Sequence, residues 1–462
     1  MASLTLTRLA ELTGGKIISG EPEMMVVAYT FDSRQASAGS LFFALQGSRN
    51  GHDYVLDAWH RGAVAACVSE KVTGLPPGFG LIQVNDTLQA LQQLAAKVLA
   101  ESQLRVVGIT GSIGKTSTKE LTALMLSSRY SVLKSRGNYN NQIGLPMSIL
   151  SLTRAHQIAV LEMGMSQPGE IKRLTEIAPP EVAVITRLAP VHLEFFKNLE
   201  AIAQAKKEIL TGVRSGASAV LNGDDPLIKE IAADFPSDKI IYFGQNDKYP
   251  IRAEGIDPQG WSGINFNLIY GQEKARVALP VLNEGLITNV LASAGVAYYF
   301  GLGLNEILPS LQTWPVLAHR GQLLKLKGGI DIYDDSYNSN PAALQQVLKS
   351  LGRLPAGRKI AVLGDMLELG PTENQFHQEI GSRIPGYGWD YLVTVGPRAR
   401  FMAEGARSHG LDPARVQSFN QAGEAAVWLK SFLRPQDLVL VKGSRGLSLE
   451  AIVDYLKKEM ET

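Results

Sequence analysis

The sequence predicts an α/β chain of three domains, and three observations carry that expectation. At 462 residues it is too long for one core, so two or three domains are expected. From Leu104 onward apolar runs alternate with helical segments, which implies a parallel sheet covered on both faces. A second such series follows Trp314–Pro315 and reads as a smaller open α/β unit. The three units are placed at 1–102, 103–313 and 314–462.

In the first unit MMVVAYTF, SLFFALQG, AVAACVSE and FGLIQVND are strand-like runs separated by turn residues. TLQALQQLAAKVLAES has helical period and leads into the central unit. There the strands are LRVVGIT, YSVLKS, IAVLEMG, EVAVITRL and ASAVLN. Shorter, polar-alternating strands fall around Asp257 to Leu279, and ITNVLASAGVAYYFGLG is helical. In the last unit GIDIYDD, RKIAVLGDM, YLVTVG and DLVLVKG are strands that end in Gly or Asp turns.

Composition narrows the function. A net charge of +1 provides no basic field for nucleic acid, so phosphorylated ligands must be held by local sites. Cys67 is the only cysteine, which excludes an intramolecular disulfide and a Cys-rich zinc site and suits a reducing cytoplasm. The opening MASLTLTRLAELTGG lacks a secretory pattern, and no apolar run reaches the about 18 residues of a membrane helix. A cytoplasmic protein without membrane insertion is expected.

GITGSIGKTSTKE reads as a strand end, a glycine turn and the first turn of a helix. Gly111, Ser112, Ile113, Gly114, Lys115, Thr116 and Ser117 would then set backbone N–H groups, an ammonium and hydroxyls at a helix N-terminus, which favours an anion. Lys115 can reach the outer phosphates of a nucleotide and Thr116 can join a Mg²⁺ shell. The strict phosphate-loop pattern fails because Ile109 stands where its first glycine belongs. The plainer alternative is a glycine turn followed by a capping box from Ser117 to Glu120. Such a loop names no phosphoryl acceptor.

Five other stretches stand out. RGNYNNQIGLPMS is an Asn- and Gly-dense loop before a helix, with Asn138 and Asn141 in it. Glu162 ends an apolar strand, where open α/β sheets carry ligands, or else caps a helix. His192 follows another strand and Lys206 lies on the next helix; alone, one reads as a surface histidine and the other as a solvated helix face. YDDSYNSNP is either a polar turn or part of a site, and LGDMLELG ends a strand of the third unit.

Together these stretches resemble the Mur ligases, ATP-dependent amide-forming enzymes of peptidoglycan precursor assembly. The resemblance runs through FDSRQASAGSLFFALQG, TGSIGKTSTKE, GNYNNQIGLPMS, LEMGMSQPGEI, HLEFF with QAKKEIL, DDSYNSNP, LGDMLELG and LVKGSRG. It implies an N-terminal uridine-nucleotide-binding domain, a central phosphate-loop ATPase domain and a C-terminal Rossmann-like domain. It also implies that a UDP-linked muramoyl tripeptide is activated by ATP as an acyl phosphate and then taken by the amine of D-alanyl-D-alanine. Sister ligases, which add one amino acid to a muramoyl peptide or glutamate to folate, are the alternative. A monomer is expected.

By the same resemblance, residues 111–117 hold the phosphates, with Lys115 as a catalytic cation. Glu162, His192 and Thr116 bind two Mg²⁺ ions together with Lys206, which the family carries as a CO₂-derived carbamate (N6-carboxylysine). Asn289 lies beside the adenine, Arg320 approaches the phosphates, and Asp335 and Asn338 face the ribose. Ser33 and Arg34 hold the uridine nucleotide, while Asn138, Asn141 and Asp365 contact the other substrates. Two places depart from the family pattern. Asn283-Glu284-Gly285-Leu286 stands where Gly-x-His-Asn is usual, so an adenine-side contact is missing or replaced. Thr186-Arg187 stands for Thr-Asn, which places an arginine near the tripeptide's carboxylates.

Overall fold

The computed structural model describes residues 3–314 and 317–461, so Pro315, at the start of the expected third unit, lies outside the described residues. Three parallel-dominated sheets organise the chain. The first has five strands in the order Lys16–Ser19, Gly80–Gln83, Ala63–Val68, Ser40–Phe43 and Ala28–Thr30, antiparallel only at its first pair. MMVVAYTF is not one strand: Met25–Val26 pairs with Leu4–Thr5 in a separate ribbon, and Ala28–Thr30 joins the main sheet.

Nine strands form the second sheet. Its parallel part runs Ile240–Gly244, Ser218–Asn222, Val182–Ile185, Arg105–Thr110, Ile158–Glu162 and Val132–Lys134. Three longer strands, Ile251–Pro258, Ile264–Tyr270 and Glu273–Leu279, extend it; Ile251–Pro258 is parallel to its sheet neighbour Ile240–Gly244, and each of the three is antiparallel to the next. The fully buried strands are rich in Val, Ile and Leu on both faces, as coverage from two sides requires. Arg105–Thr110 lies between Ile158–Glu162 and Val182–Ile185, so the strand order reverses at the phosphate-loop strand. Ligands of open α/β sheets bind at such a reversal, beyond the carboxyl ends of the strands.

The third sheet has six strands, with Ile330–Asp334, Leu438–Lys442 and Lys359–Gly364 adjacent and parallel at its centre. Its first strand, Gln322–Leu326, and Ile240–Gly244 of the second sheet lie outside the sequence reading. Gln322–Leu326 is an antiparallel edge whose lysine interrupts the apolar alternation. Among the described residues no helix is long and apolar enough to cross a membrane.

Candidate active site

A cleft of about 520 Å³ lies where the carboxyl ends of the second and third sheets face each other. The helix Lys115–Leu126 begins at Gly114, whose φ of 87° suits glycine and whose missing side chain leaves room for Asn289, with Asn289 Oδ1 only 2.2 Å from where a Cβ would stand. The capping-box alternative fails, because Glu120 is ion-paired to Lys119 and Lys134 at 2.9 and 2.5 Å. The loop is braced from the neighbouring strand: Thr186 Oγ1 donates to the Ile113 carbonyl oxygen at 2.6 Å, and Ser112 N–H donates to that of Arg187 at 2.7 Å.

Lys115 lies along this loop and donates to the Gly111 carbonyl oxygen at 2.8 Å. Burial lowers its pKa, and the nearby Glu162 carboxylate opposes that shift. Glu162, 1% exposed, accepts from Asn140 Nδ2 at 2.9 Å and leaves Oε2 buried without a partner. It caps no helix. Ser112 Oγ is also buried and unpartnered. A buried carboxylate oxygen and free loop hydroxyls, set beside a cationic phosphate cradle, suit a hard divalent cation bound together with phosphate.

Lys206 is equally informative. Its helix, Leu199–Thr211, starts at Asn198, whose side chain accepts from Ala201 N–H at 2.9 Å. Lys206 is 1% exposed, and no hydrogen bond or ion pair to it occurs among the described residues, so the solvated-face alternative is wrong. Burial, reinforced by the charge of Lys115, lowers its pKa well below the ordinary lysine value. Lys207, one residue on, instead pairs with Asp234 at 2.6 Å. A buried amine with a depressed pKa, held near the loop lysine, suits carbamate formation, which proceeds through the neutral amine. Among the described residues no three His, Cys, Asp or Glu side chains converge, so a complete cation shell here draws on other oxygens.

The third sheet supplies the opposite wall. Arg320 lies over the Tyr337 ring at 3.8 Å from its centroid, close enough to Lys115 to oppose its protonation. Asp335 follows the strand Ile330–Asp334, and buried Lys442 donates to its Oδ2 at 2.6 Å and to the Asn338 carbonyl oxygen at 2.9 Å. His192 also lines the cleft; its Nδ1 is hydrogen-bonded to Glu368 of the third unit.

The other sequence-predicted residues lie as follows. Asn138 and Asn141 line the cleft, and Asn141 Oδ1 also accepts from Gly144 N–H at 2.8 Å to start the next helix. Asp365 is buried, accepts from Ala399 N–H at 2.6 Å and does not line the cleft. Ser33 and Arg34 stand in the first unit, Ser33 buried and Arg34 paired to Asp32 at 2.7 Å, both away from the cleft. That unit meets the cleft rim where Gln92 Nε2 donates to the Gln142 carbonyl oxygen at 3.1 Å. Asn140, Lys442, Gln346 and Glu368 were missed by sequence reasoning. Arg187 turns toward Gln346 of the third unit, and Gln346 fills the space beside Gly285.

This is the arrangement of a multidomain phosphate-loop protein whose last unit forms the wall of the cleft opposite the loop. Comparison with known proteins makes the class specific. The family model described as Mur ligase middle domain matches residues 109–297, and that described as Mur ligase, glutamate ligase domain matches 319–445. The UDP-N-acetylmuramoyl-tripeptide–D-alanyl-D-alanine ligase of Bacillus subtilis is 35% identical, with 99% of each chain covered. A crystal structure of MurF from Acinetobacter baumannii superimposes with a TM-score of 0.89 at 29% identity, covering 99% of both chains. MurF ligase from Thermotoga maritima in complex with ADP gives a TM-score of 0.82 at 30% identity, covering 94% of this chain and 98% of that one. The chain belongs to the Mur ligase family, and it has the family's three-domain α/β architecture.

Proposed function

We propose that this chain is an ATP-dependent ligase that joins D-alanyl-D-alanine to UDP-N-acetylmuramoyl-tripeptide in the cytoplasm, the last soluble step in making the peptidoglycan precursor. The observation that carries the reading is the full-length 35% identity to the Bacillus subtilis ligase of that name, read together with the cationic cleft at the strand-order reversal. Units 1–102, 103–313 and 314–462 divide the work. The first holds the uridine nucleotide through Ser33 and Arg34, the second holds the phosphates, and the third completes the adenosine side with Arg320, Asp335 and Asn338. It acts as a monomer.

A carboxylate is a poor electrophile at neutral pH, so activation is the chemical need. An oxygen of the tripeptide's terminal carboxylate bonds to the γ-phosphorus of ATP, and ADP leaves. The dipeptide's neutral amine then attacks the acyl carbon, phosphate departs, and the nitrogen loses a proton. The first step brings two anions together, which Lys115 and Arg320 offset with fixed positive charge from opposite walls. Thr116, Glu162, His192 and a carbamate on Lys206 would hold Mg²⁺, which when bound neutralises phosphate charge. Asn140 fixes the Glu162 carboxylate.

Phosphate release tests the reading. D-Ala-D-Ala should stimulate it in the presence of ATP and UDP-tripeptide; stimulation only by single amino acids or by glutamate would assign the chain to a sister activity.

A further inference from the structure

The two departures from the family pattern, Arg187 and Gly285, meet at one side chain of the third unit. Arg187 Nη1 donates to Gln346 Oε1 at 2.8 Å. A Cβ at Gly285 would stand 2.5 Å from Gln346 Cδ. The φ of −62° at Gly285 is open to any residue, so glycine is required there for room and not for conformation. The small residue at 285 and the long one at 187 thus serve the same partner.

Gln346 sits on the helix Pro341–Gly352, and its neighbours on the same face dock on the same segment. Ser350 Oγ accepts from Glu284 N–H at 3.3 Å, and Arg353, at the helix end, pairs with Glu284 at 3.0 Å. The spacing i, i+4, i+7 makes this one continuous docking face, with Gln346 at its cleft end. On the other side, the backbone of Arg187 is fused to the phosphate loop through Ser112 N–H. A path of direct contacts therefore runs from the loop through Arg187 and Gln346 into the helix that follows Asp335 and Asn338.

We propose that Arg187 and Gln346 form a clasp that holds the third unit in register with the phosphate loop, which makes both of them positioning residues for the nucleotide side of the reaction. This rests on the ligase reading above. Its function is to keep Arg320 and Asp335 opposite the loop, so losing it weakens nucleotide binding before it touches the acceptor. Arg187 lines the cleft and spends one guanidinium nitrogen, Nη1, on Gln346.

The test compares Arg187→Ala, Gln346→Ala, Gly285→Ala and the pairwise combinations in the full chain, with ATP varied at saturating UDP-tripeptide and dipeptide. A hydrogen bond to a charged group is worth enough that KM for ATP should rise about tenfold in each single variant. The double variant Arg187→Ala/Gln346→Ala should be no worse than either single, because they remove one interaction. Gly285→Ala should be harmful only while Gln346 is present: the methyl displaces a flexible side-chain end without threatening the fold. Gln346→Glu, which keeps the acceptor, should retain wild-type KM. Small-angle scattering should show the single Ala variants more expanded than wild type. Additive effects in the double variant, or a rise confined to KM for UDP-tripeptide in Arg187→Ala with Gln346→Ala silent, would overturn the clasp. If the wild-type chain released no phosphate with any acceptor, the ligase reading would fall, and the scattering comparison alone would decide the clasp.

Discussion

His192 Nδ1 and the Glu368 carboxylate are hydrogen-bonded across the boundary between the second and third units, and both residues hold left-handed backbone, with φ of 58° and 65°. Non-glycine residues adopt that conformation at a cost, so the surrounding structure must enforce it. The contact holds Glu368 in its charged form, because the histidine lowers the carboxyl's pKa. It also leaves Nε2 as the histidine's free ring nitrogen. Glu368→Ala should therefore raise the Mg²⁺ concentration needed for half-maximal phosphate release roughly 10- to 100-fold, as loss of an outer partner of a ligating histidine does. An unchanged Mg²⁺ requirement would show that His192 is oriented by something else.

Lys115→Ala removes a half-buried cation from the phosphate cradle. A loss of ~10²-fold or more in kcat is expected, the scale of one preorganised charge stabiliser. Activity within a few-fold of wild type would take Lys115 out of the mechanism.

Lys206 and Lys207 should behave oppositely. Lys206→Ala is expected to be nearly inactive and to recover some activity when formate fills the vacated space, since a small carboxylate can stand in for a carbamate. Lys207→Ala should be mild, because its ammonium reaches only the exposed Asp234. Intact-mass spectra in CO₂-equilibrated buffer, compared with CO₂-depleted buffer, check the modification independently of turnover.

His377 gives the fold a pH dependence. Its Nε2 accepts from Met366 N–H at 2.9 Å and its Nδ1 donates to the Glu373 carbonyl oxygen at 2.6 Å, which fixes a neutral ring; burial lowers its pKa from the ordinary 6.5. The unfolded chain takes up a proton near pH 6.5 and the folded chain only at lower pH, so this contribution is full above 6.5 and is lost as pH falls below it. Denaturant unfolding at pH 7.5 and 5.5 should show a larger loss for wild type than for His377→Gln. Equal losses would mean that His377 protonates in place.

The sequence made much of this legible. Alternation of strands and helices implied parallel sheets, and the glycine loop implied a phosphate site because both follow from local pattern. What stayed hidden depends on tertiary contact. GNYNNQ offers three asparagines, and only the turn register decides that Asn140 reaches Glu162, 22 positions away. Lys442 meets Asp335 because their parallel strands lie in register, although 107 residues separate them. Lys206 and Lys207 look alike in the chain; packing alone buries one and leaves the other half-buried beside Asp234. The contact of Arg187 with Gln346, 159 residues on, was equally hidden, since nothing local points to that partner.

The most direct measurement is the mass of the product formed from UDP-tripeptide, ATP and D-Ala-D-Ala by the full chain. A single new species is expected, equal to the UDP-tripeptide plus the dipeptide less one water, formed one for one with ADP and phosphate. ATP hydrolysis without that species, or a product carrying one alanine or one glutamate in its place, would contradict the assignment.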